Sequence, residues 1–460
     1  MNEIRTLISD SKAARWTALI VVAFTMFAGY YIADVMAPLK GLLENELTWT
    51  STEYGFFTSA YGWFNVFLLF LIIGGIILDK MGVRFTGLGS AMVMVVGTGL
   101  KYWAVSTHSL DGMMMFGWKA QVMVAAIGFA TFGVGVEVAG ITVSKIIVKW
   151  FRGRELALAM GLQLSIARLG TALAISTALP VANYFGHVSA PVLIGLLMLC
   201  IGLIAFFIYT FMDKKLDASI VAKNLGMNVA PDEEFKMKDI WFIVTNKGWW
   251  YIAILCVLFY SAVFPFLKYA TDLMINKFGV DANLAGIIPG LLPFGTILLT
   301  PVFGTIYDRK GKGATIMIIG AILIIMVHVL FSVPIFNSWI FAVILVIILG
   351  IGFSLVPSAM WPSVPKIIPE HQLGTAFALI FWVQNWGLMG VPLLIGWVLD
   401  KYCITGTIVT NGVTSTTYDY TIPMLIFTGF GVLALIFAFL LKIEDKKKGY
   451  GLELPNIKKM

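Results

Sequence analysis

The sequence predicts an all-α membrane protein of twelve transmembrane helices arranged as two six-helix halves. Three observations predict it. Apolar stretches of roughly 20 residues or more recur along the whole chain, and each can cross a hydrocarbon core of about 30 Å as a helix. Only 12% of the 460 residues are charged and 59% are hydrophobic, whereas an ordinary soluble domain is about a quarter charged. The one long interior stretch without an apolar span, 213–247, falls near the middle of the chain.

Taken in order, the first six spans are expected near 16–38, 52–78, 84–105, 117–148, 155–183 and 189–212, and the second six near 248–276, 281–307, 313–333, 338–365, 372–400 and 421–442. The organisation read from them is an N-terminal bundle over 1–212, a cytoplasmic linker over 213–247, a C-terminal bundle over 248–442 and a cytoplasmic tail over 443–460. The polar N-terminus runs into the first span without a small-residue cleavage site, which reads as a first helix and not as a signal peptide.

Charge sets the expected orientation. With both termini and the linker on one side, that side receives 25 of the 32 Lys and Arg residues, and the other receives five, Lys40, Lys101, Lys119, Lys277 and Lys401. The richer side is then cytoplasmic, in a bacterial inner membrane, and the formal charge of +7 is explained by topology. No basic stripe interleaved with aromatics lies on a soluble domain, so a nucleic-acid partner is not expected. Cys200, Cys256 and Cys403 stand alone in or beside apolar runs, without the spacing of a metal site. A phosphate loop, a nucleophile elbow and paired metal ligands are all missing from the sequence, so neither catalysis, ATP coupling nor a cofactor is expected.

An internal repeat supports two halves. The second span ends in Gly75, Asp79, Lys80, Gly82 and Arg84, and the eighth ends in Gly304, Asp308, Arg309 and Gly311, with no Arg at the last position of the second copy. Glycine lets helices approach, the Asp accepts from neighbouring helix ends and the basic residues stay with the cytoplasmic charge. A fainter copy, Gly396, Asp400 and Lys401, closes the eleventh span on the opposite face, as nested inverted repeats would place it.

These repeats resemble the major facilitator superfamily over all twelve spans. The run Trp150, Phe151, Arg152, Gly153, Arg154, Glu155 and Leu156, followed by Gly161 to Gly170 with Ser165 and Arg168, is similar to the lysosomal dipeptide-transporter branch of that superfamily. Ala262 to Phe266, Pro369 to Ala376, and Gln384 with Asn385 agree with it. The resemblance implies a secondary transporter of small solutes, dipeptides first among them, acting as a uniporter by alternating access and as a monomer among membrane lipids.

Glu137 and Arg168 demand a reading of their own, because ionisable groups deep in a span are costly and usually line a cavity. Counting along the helices from the short basic loop between the fourth and fifth spans puts the two charges at one level, about 18 to 20 Å in. Glu137 suits a substrate ammonium, and the planar fork of Arg168 suits a carboxylate. The alternative is that the two pair and brace the helices. Tyr61, Trp63, Asn65, Trp361, Gln384 and Asn385 match the branch and are candidates to line the same cavity. Asp34 and Lys268 are candidates for an outer gate, with an i, i+4 pair between Lys268 and Asp272 as the simpler reading. Prolines 265, 289, 293, 357, 362 and 365 interrupt the second-half spans, which points to a wet interior. Other substrates, organic anions or sugars moved with protons, and a receptor or sensor built on a transporter fold, remain open on sequence alone.

Overall fold

The computed structural model describes residues 8–151, 156–223, 237–369, 372–410 and 413–455. Among the described residues eleven helices are long and apolar enough to cross a membrane, and a bent pair makes a twelfth. The first half contains α1 (Lys12–Asp34), α2 (Ser51–Phe67 continued by Phe70–Leu78), α3 (Lys80–Ser106), α4 (Ala120–Phe151), α5 (Leu156–Phe185) and α6 (Ala190–Lys223). The second contains α7 (Lys247–Phe278), α8 (Ile287–Lys310), α9 (Gly313–Ser332), α10 (Trp339–Ile367), α11 (Leu373–Tyr402) and α12 (Thr421–Lys448). The even number of crossings leaves both ends of the chain and the segment after α6 on one face, here called the terminal face.

Local chemistry sets the helix ends. The Ser11 side chain accepts from the Ala14 N–H to cap α1, and Thr50 and Glu53 form a reciprocal capping box at the start of α2. Asn246 caps α7, which ends where Gly279 turns into the left-handed region at φ 60°. Inside the first half, α3 and α4 cross at Gly97 and Gly128. A β-carbon on Gly97 would sit 2.4 Å from the Phe132 backbone N, so only hydrogen fits there.

Four departures from the expected spans matter. The second is not one continuous helix over 52–78: Leu69 takes φ 55°, and the two pieces bend by 56°. The carbonyl of Val66 at that break accepts from the Trp382 indole at 3.1 Å, so a side chain of the other half satisfies it. The expected linker is partly helical, since α6 runs on to Lys223 and a short helix covers Met237–Thr245. Between α11 and α12 the strands β1 (Ile404–Thr410) and β2 (Val413–Tyr418) pair antiparallel as a hairpin that the hydropathy pattern did not signal. The last described residues dock on the second half: Leu452 is fully buried, and the carbonyls of Glu453 and Leu452 accept from the Lys312 N–H at 3.0 Å and the Gly313 N–H at 2.9 Å.

Candidate functional site

Glu137 lies 14 residues before the end of α4 at Phe151, and Arg168 lies 12 residues after the start of α5 at Leu156, so the two antiparallel helices carry the charges at similar depth. They do not pair. Among the described residues no ion pair joins Arg168 to Glu137 or to any other carboxylate. Glu137 instead accepts from the Tyr61 hydroxyl at 2.6 Å. The Arg168 guanidinium carbon lies 5.4 Å from the centroid of Phe264, 5.7 Å from Phe353 and 5.9 Å from Tyr30. Three ring faces thus hold the cation by its π-clouds and leave its hydrogen-bonding fork uncommitted. Tyr30 of α1 lies within electrostatic reach of both Arg168 and Glu137.

The wall opposite is aromatic and belongs to the second half. Tyr260 stacks on Phe264 at 5.2 Å and meets Phe353 edge-on at 5.8 Å. The Trp361 indole donates to the Tyr260 hydroxyl at 3.3 Å and stacks on Phe381 at 5.0 Å. Beside it, the Cys256 thiol reaches the Gln384 Oε1 at 3.6 Å. Asn65 and Asn385 are buried, and each spends its amide on a carbonyl, Gly133 at 3.4 Å and Phe381 at 2.9 Å, with the side-chain oxygens left without a hydrogen-bond partner.

Of the candidates read from sequence, Tyr61 is joined directly to Glu137, and Trp361 is linked to the Arg168 cage through Tyr260. Trp63 is placed elsewhere: it packs on Phe56 at 4.9 Å and donates to Ser59 at 3.1 Å, against the face of α4 lined by Ala126 and Ala130. The 3.6-residue period turns it away from Tyr61, two positions earlier. Tyr30, Tyr260, Phe264 and Phe353 were not singled out. Phe264 stood inside the Ala262 to Phe266 run, and the others carry no signal beyond being aromatic in a helix.

On the face opposite the termini the halves are joined by charge. Lys268 reaches Asp34 at 2.5 Å and the Ala33 carbonyl at 2.7 Å, and Thr171 donates to the same Asp34 at 2.8 Å. Lys40, fully buried, lies 2.7 Å from Glu44 and 3.0 Å from Asp272, with the Tyr418 ring 4.0 Å away. Tyr420 also donates to Asp272. The simple i, i+4 pair between Lys268 and Asp272 is therefore not what forms: each crosses to α1 or its extension. Lys101, counted among the basic residues of this side, is fully buried, donating to the Ile32 carbonyl at 3.0 Å under the rings of Phe129 and Phe132.

The glycine and charge repeats divide the work. Asp400 of the fainter copy accepts from the Ser51 and Thr52 N–H groups at 2.9 and 2.5 Å, so a carboxylate of the second half caps the N-terminus of α2 across the seam. Gly396 permits it, since a β-carbon there would meet the Ser51 carbonyl at 2.2 Å. At the terminal face Arg84 pairs with Asp217 at 2.6 Å and Asp213 at 3.3 Å, and Lys149 joins the same two acids. Lys80 is exposed, and the side chain of Asp79 and the loop 152–155 lie outside the described residues. Gly75 and Gly304 make no close approach here; Gly74 does, since a β-carbon there would sit 2.4 Å from the Val138 side chain. Asp308 is partly buried and Arg309 exposed near the end of α8, beside the loop that Leu452 and Glu453 cover. Beyond Trp382 towards the terminal face, no hydrogen bond or ion pair joins the halves among the described residues.

Comparison with known proteins shows the family. The chain is 27% identical over 399 residues to the lysosomal dipeptide transporter MFSD1 of Homo sapiens, covering 85% of this chain and 81% of that protein. It is 28% identical over 400 residues to the protein of the same name in Danio rerio, with 84% and 81% covered. A hexuronate transporter of Bacillus subtilis (strain 168) is 22% identical over 410 residues, with 85% and 89% covered. Among solved structures, a bacterial homologue of the human lysosomal transporter Spinster, inward-facing and unoccupied, superposes with a TM-score of 0.68 at 12% identity over 95% of this chain and 98% of that one. A point mutant of the nucleoside transporter NupG superposes with a TM-score of 0.67 at 15% identity over 92% and 99%. The Major Facilitator Superfamily model matches residues 19–392, and with the twelve-span fold and the repeated glycine and charge motifs this chain belongs to that superfamily of membrane transporters.

Proposed function

We propose that this transporter moves dipeptides by alternating access, with Glu137 taking the substrate ammonium and Arg168 its carboxylate. The observation that carries the reading is that the two charges lie at one depth and are not paired with each other. Glu137 is oriented by Tyr61, and Arg168 is held by three rings with its fork uncommitted. A zwitterion supplies what each lacks, and the desolvation cost of two buried charges is then offset by their ligand. The relatives named as dipeptide transporters support the solute class. Trp361, Gln384, Asn65 and Asn385 are proposed to line the remainder of the cavity, around the substrate's side chains and peptide bond.

The two bundles, 1–212 and 248–442, are taken to rock against each other, sealed as seen here on the face opposite the termini. The terminal face is taken as cytoplasmic because 25 of the 32 basic residues lie there. An acidic sugar is the rival solute: the Bacillus relative is named for one, and Arg168 alone serves such an anion. Uptake into proteoliposomes separates the two. Free dipeptides should be accumulated or exchanged, and N-acetylated dipeptides and hexuronates should not. Transport of hexuronate with indifference to the dipeptide amine would overturn the proposal.

A further inference from the structure

The ion cluster that seals the face opposite the termini has a property beyond holding it shut. Asp34 and Lys40 come from the first half, Lys268 and Asp272 from the second, and the two pairs that cross the seam run in opposite senses: acid to base at 2.5 Å, base to acid at 3.0 Å. All four side chains are largely withdrawn from water, at 17% and 16% exposure for the first pair and 0% and 8% for the second. Parting the halves breaks both pairs that cross the seam, and each of the four charges then has to be compensated from its own half or by entering water.

Each half contains the replacements. Lys268 and Asp272 are four residues apart on α7, the spacing at which helical side chains meet. Lys40 already holds Glu44 at 2.7 Å. For Asp34 the candidate is Lys101 of α3. Its ammonium donates to Ile32, two residues before Asp34, and otherwise faces two phenyl rings. Among the described residues it has no carboxylate partner, although both Asp34 and Lys268 act on it electrostatically. A fully buried lysine without a counterion is costly unless another state supplies one. Counted by half, Asp34, Glu44, Lys40 and Lys101 are neutral together, and so are Lys268 and Asp272.

We propose that Lys101 is the resident countercharge that receives Asp34 when the seam parts, so that the six side chains exchange partners during the transport cycle and do not lose them. Lys101 is then a positioning residue for the conformational step, away from the solute. The inference rests on alternation between two faces and not on which solute is carried.

The test uses the full chain in lipid nanodiscs, with Cys200, Cys256 and Cys403 replaced and spin labels at Phe116→Cys and Ile335→Cys. These positions are 89% and 84% exposed on loops of the two halves at the sealed face. Electron–electron distances are read without solute, so failure of the dipeptide reading leaves this measurement intact; turnover is read separately as exchange of whichever solute the parent carries. Lys268→Met removes a partner of the sealed state and should raise the long-distance population. Lys101→Met removes a partner of the open state, and should lower that population and slow exchange about tenfold. Asp34→Asn combined with Lys101→Met should exchange faster than Lys101→Met alone, because the acid needing the lysine is gone. If Lys101→Met does not fold, the double variant is compared with Asp34→Asn alone, and the two should agree within about twofold. Distances moving the same way in Lys101→Met and Lys268→Met would overturn the proposal. So would a double variant no faster than Lys101→Met, or one well below Asp34→Asn.

Discussion

Replacing Arg168 by Lys keeps the charge and removes the fork, which makes it the sharpest probe of the binding site. In the structure the guanidinium is stacked among Tyr30, Phe264 and Phe353 and makes no ion pair among the described residues, so its donors are open to a ligand carboxylate. A lysine ammonium can keep part of the ring contact, worth about 0.5 to 1 kcal/mol at such faces, but offers a point charge in place of two parallel donors. Losing one charge-assisted hydrogen bond costs about 1.5 to 3 kcal/mol, or roughly 10- to 150-fold in affinity. The loss should appear with free dipeptides and vanish with C-terminally amidated ones, so the ratio of the two affinities should fall by that factor. Ligand-induced thermal shift and competition uptake at matched protein levels measure it. A brace between α4 and α5 behaves differently: breaking a buried pair destabilises by about 3 to 5 kcal/mol whatever the ligand. Equal losses for free and amidated dipeptides, with a lower melting temperature in the absence of ligand, would refute the carboxylate role.

Tyr61→Phe removes the hydroxyl that orients Glu137, and should weaken binding of free-amine dipeptides several-fold while leaving binding of N-acetylated anions unchanged, as read by the same competition assay. Gly97→Ala forces a β-carbon against the Phe132 backbone and should destabilise the α3–α4 crossing by about 1 to 3 kcal/mol, seen as a lower detergent melting temperature. Cys403 is buried between α11 and the hairpin, and burial together with the Asp419 carboxylate pushes its thiol up to about 11, so it should resist maleimide at pH 7 and react only after denaturation. A reporter active only outside the cytoplasm, fused after Lys448, should stay silent; activity there would reverse the proposed orientation.

The spans and the pairing of depths were legible because they rest on local rules. Helical rise alone puts Glu137 and Arg168 at one level, whatever the packing around them. Side-chain partners were not legible in the same way. The reading that braced Glu137 against Arg168 failed because Tyr61, 76 residues away, supplies the nearer donor. Lys101 counts by sequence with the basic residues of the side opposite the termini because it lies near that end of the span 84–105, and only the crossing of α3 with α1 and α4 shows what buries it. Lys268 and Asp272 read as an intrahelical pair because i, i+4 is visible in sequence, whereas Asp34, 234 residues away, is not. The break in α2 left no mark either, since Leu68 and Leu69 are good helix formers and the left-handed turn is imposed from outside.

The division of chemistry between the halves bears on how such a molecule turns over. The first half holds Glu137 and Arg168, the charges proposed to recognise the solute, and the second supplies most of the aromatic faces, so a solute held between them would be touched by both, and its binding energy could bias their relative position. For the proposed cycle to run, the sealed and unsealed arrangements of each face must be close in free energy, and the chemistry at the two faces differs. The opposite face is closed by ion pairs and by backbone caps such as Asp400 on α2. At the terminal face Arg84 and Lys149 are already paired with Asp213 and Asp217 inside the first half, which leaves these charges no strong call for a partner across the seam. What that face offers instead is apolar surface at the broken part of α2, where Phe67, Leu68 and Leu69 are 62%, 51% and 41% exposed, beside Trp386 at 42%. Phe67 already meets Trp386 edge-on at 5.7 Å, just past the Trp382 bond to Val66. Extending that contact adds side-chain packing between the halves without desolvating a charge, so in the proposed cycle the terminal face can close by contact while the opposite face opens by exchange of ions.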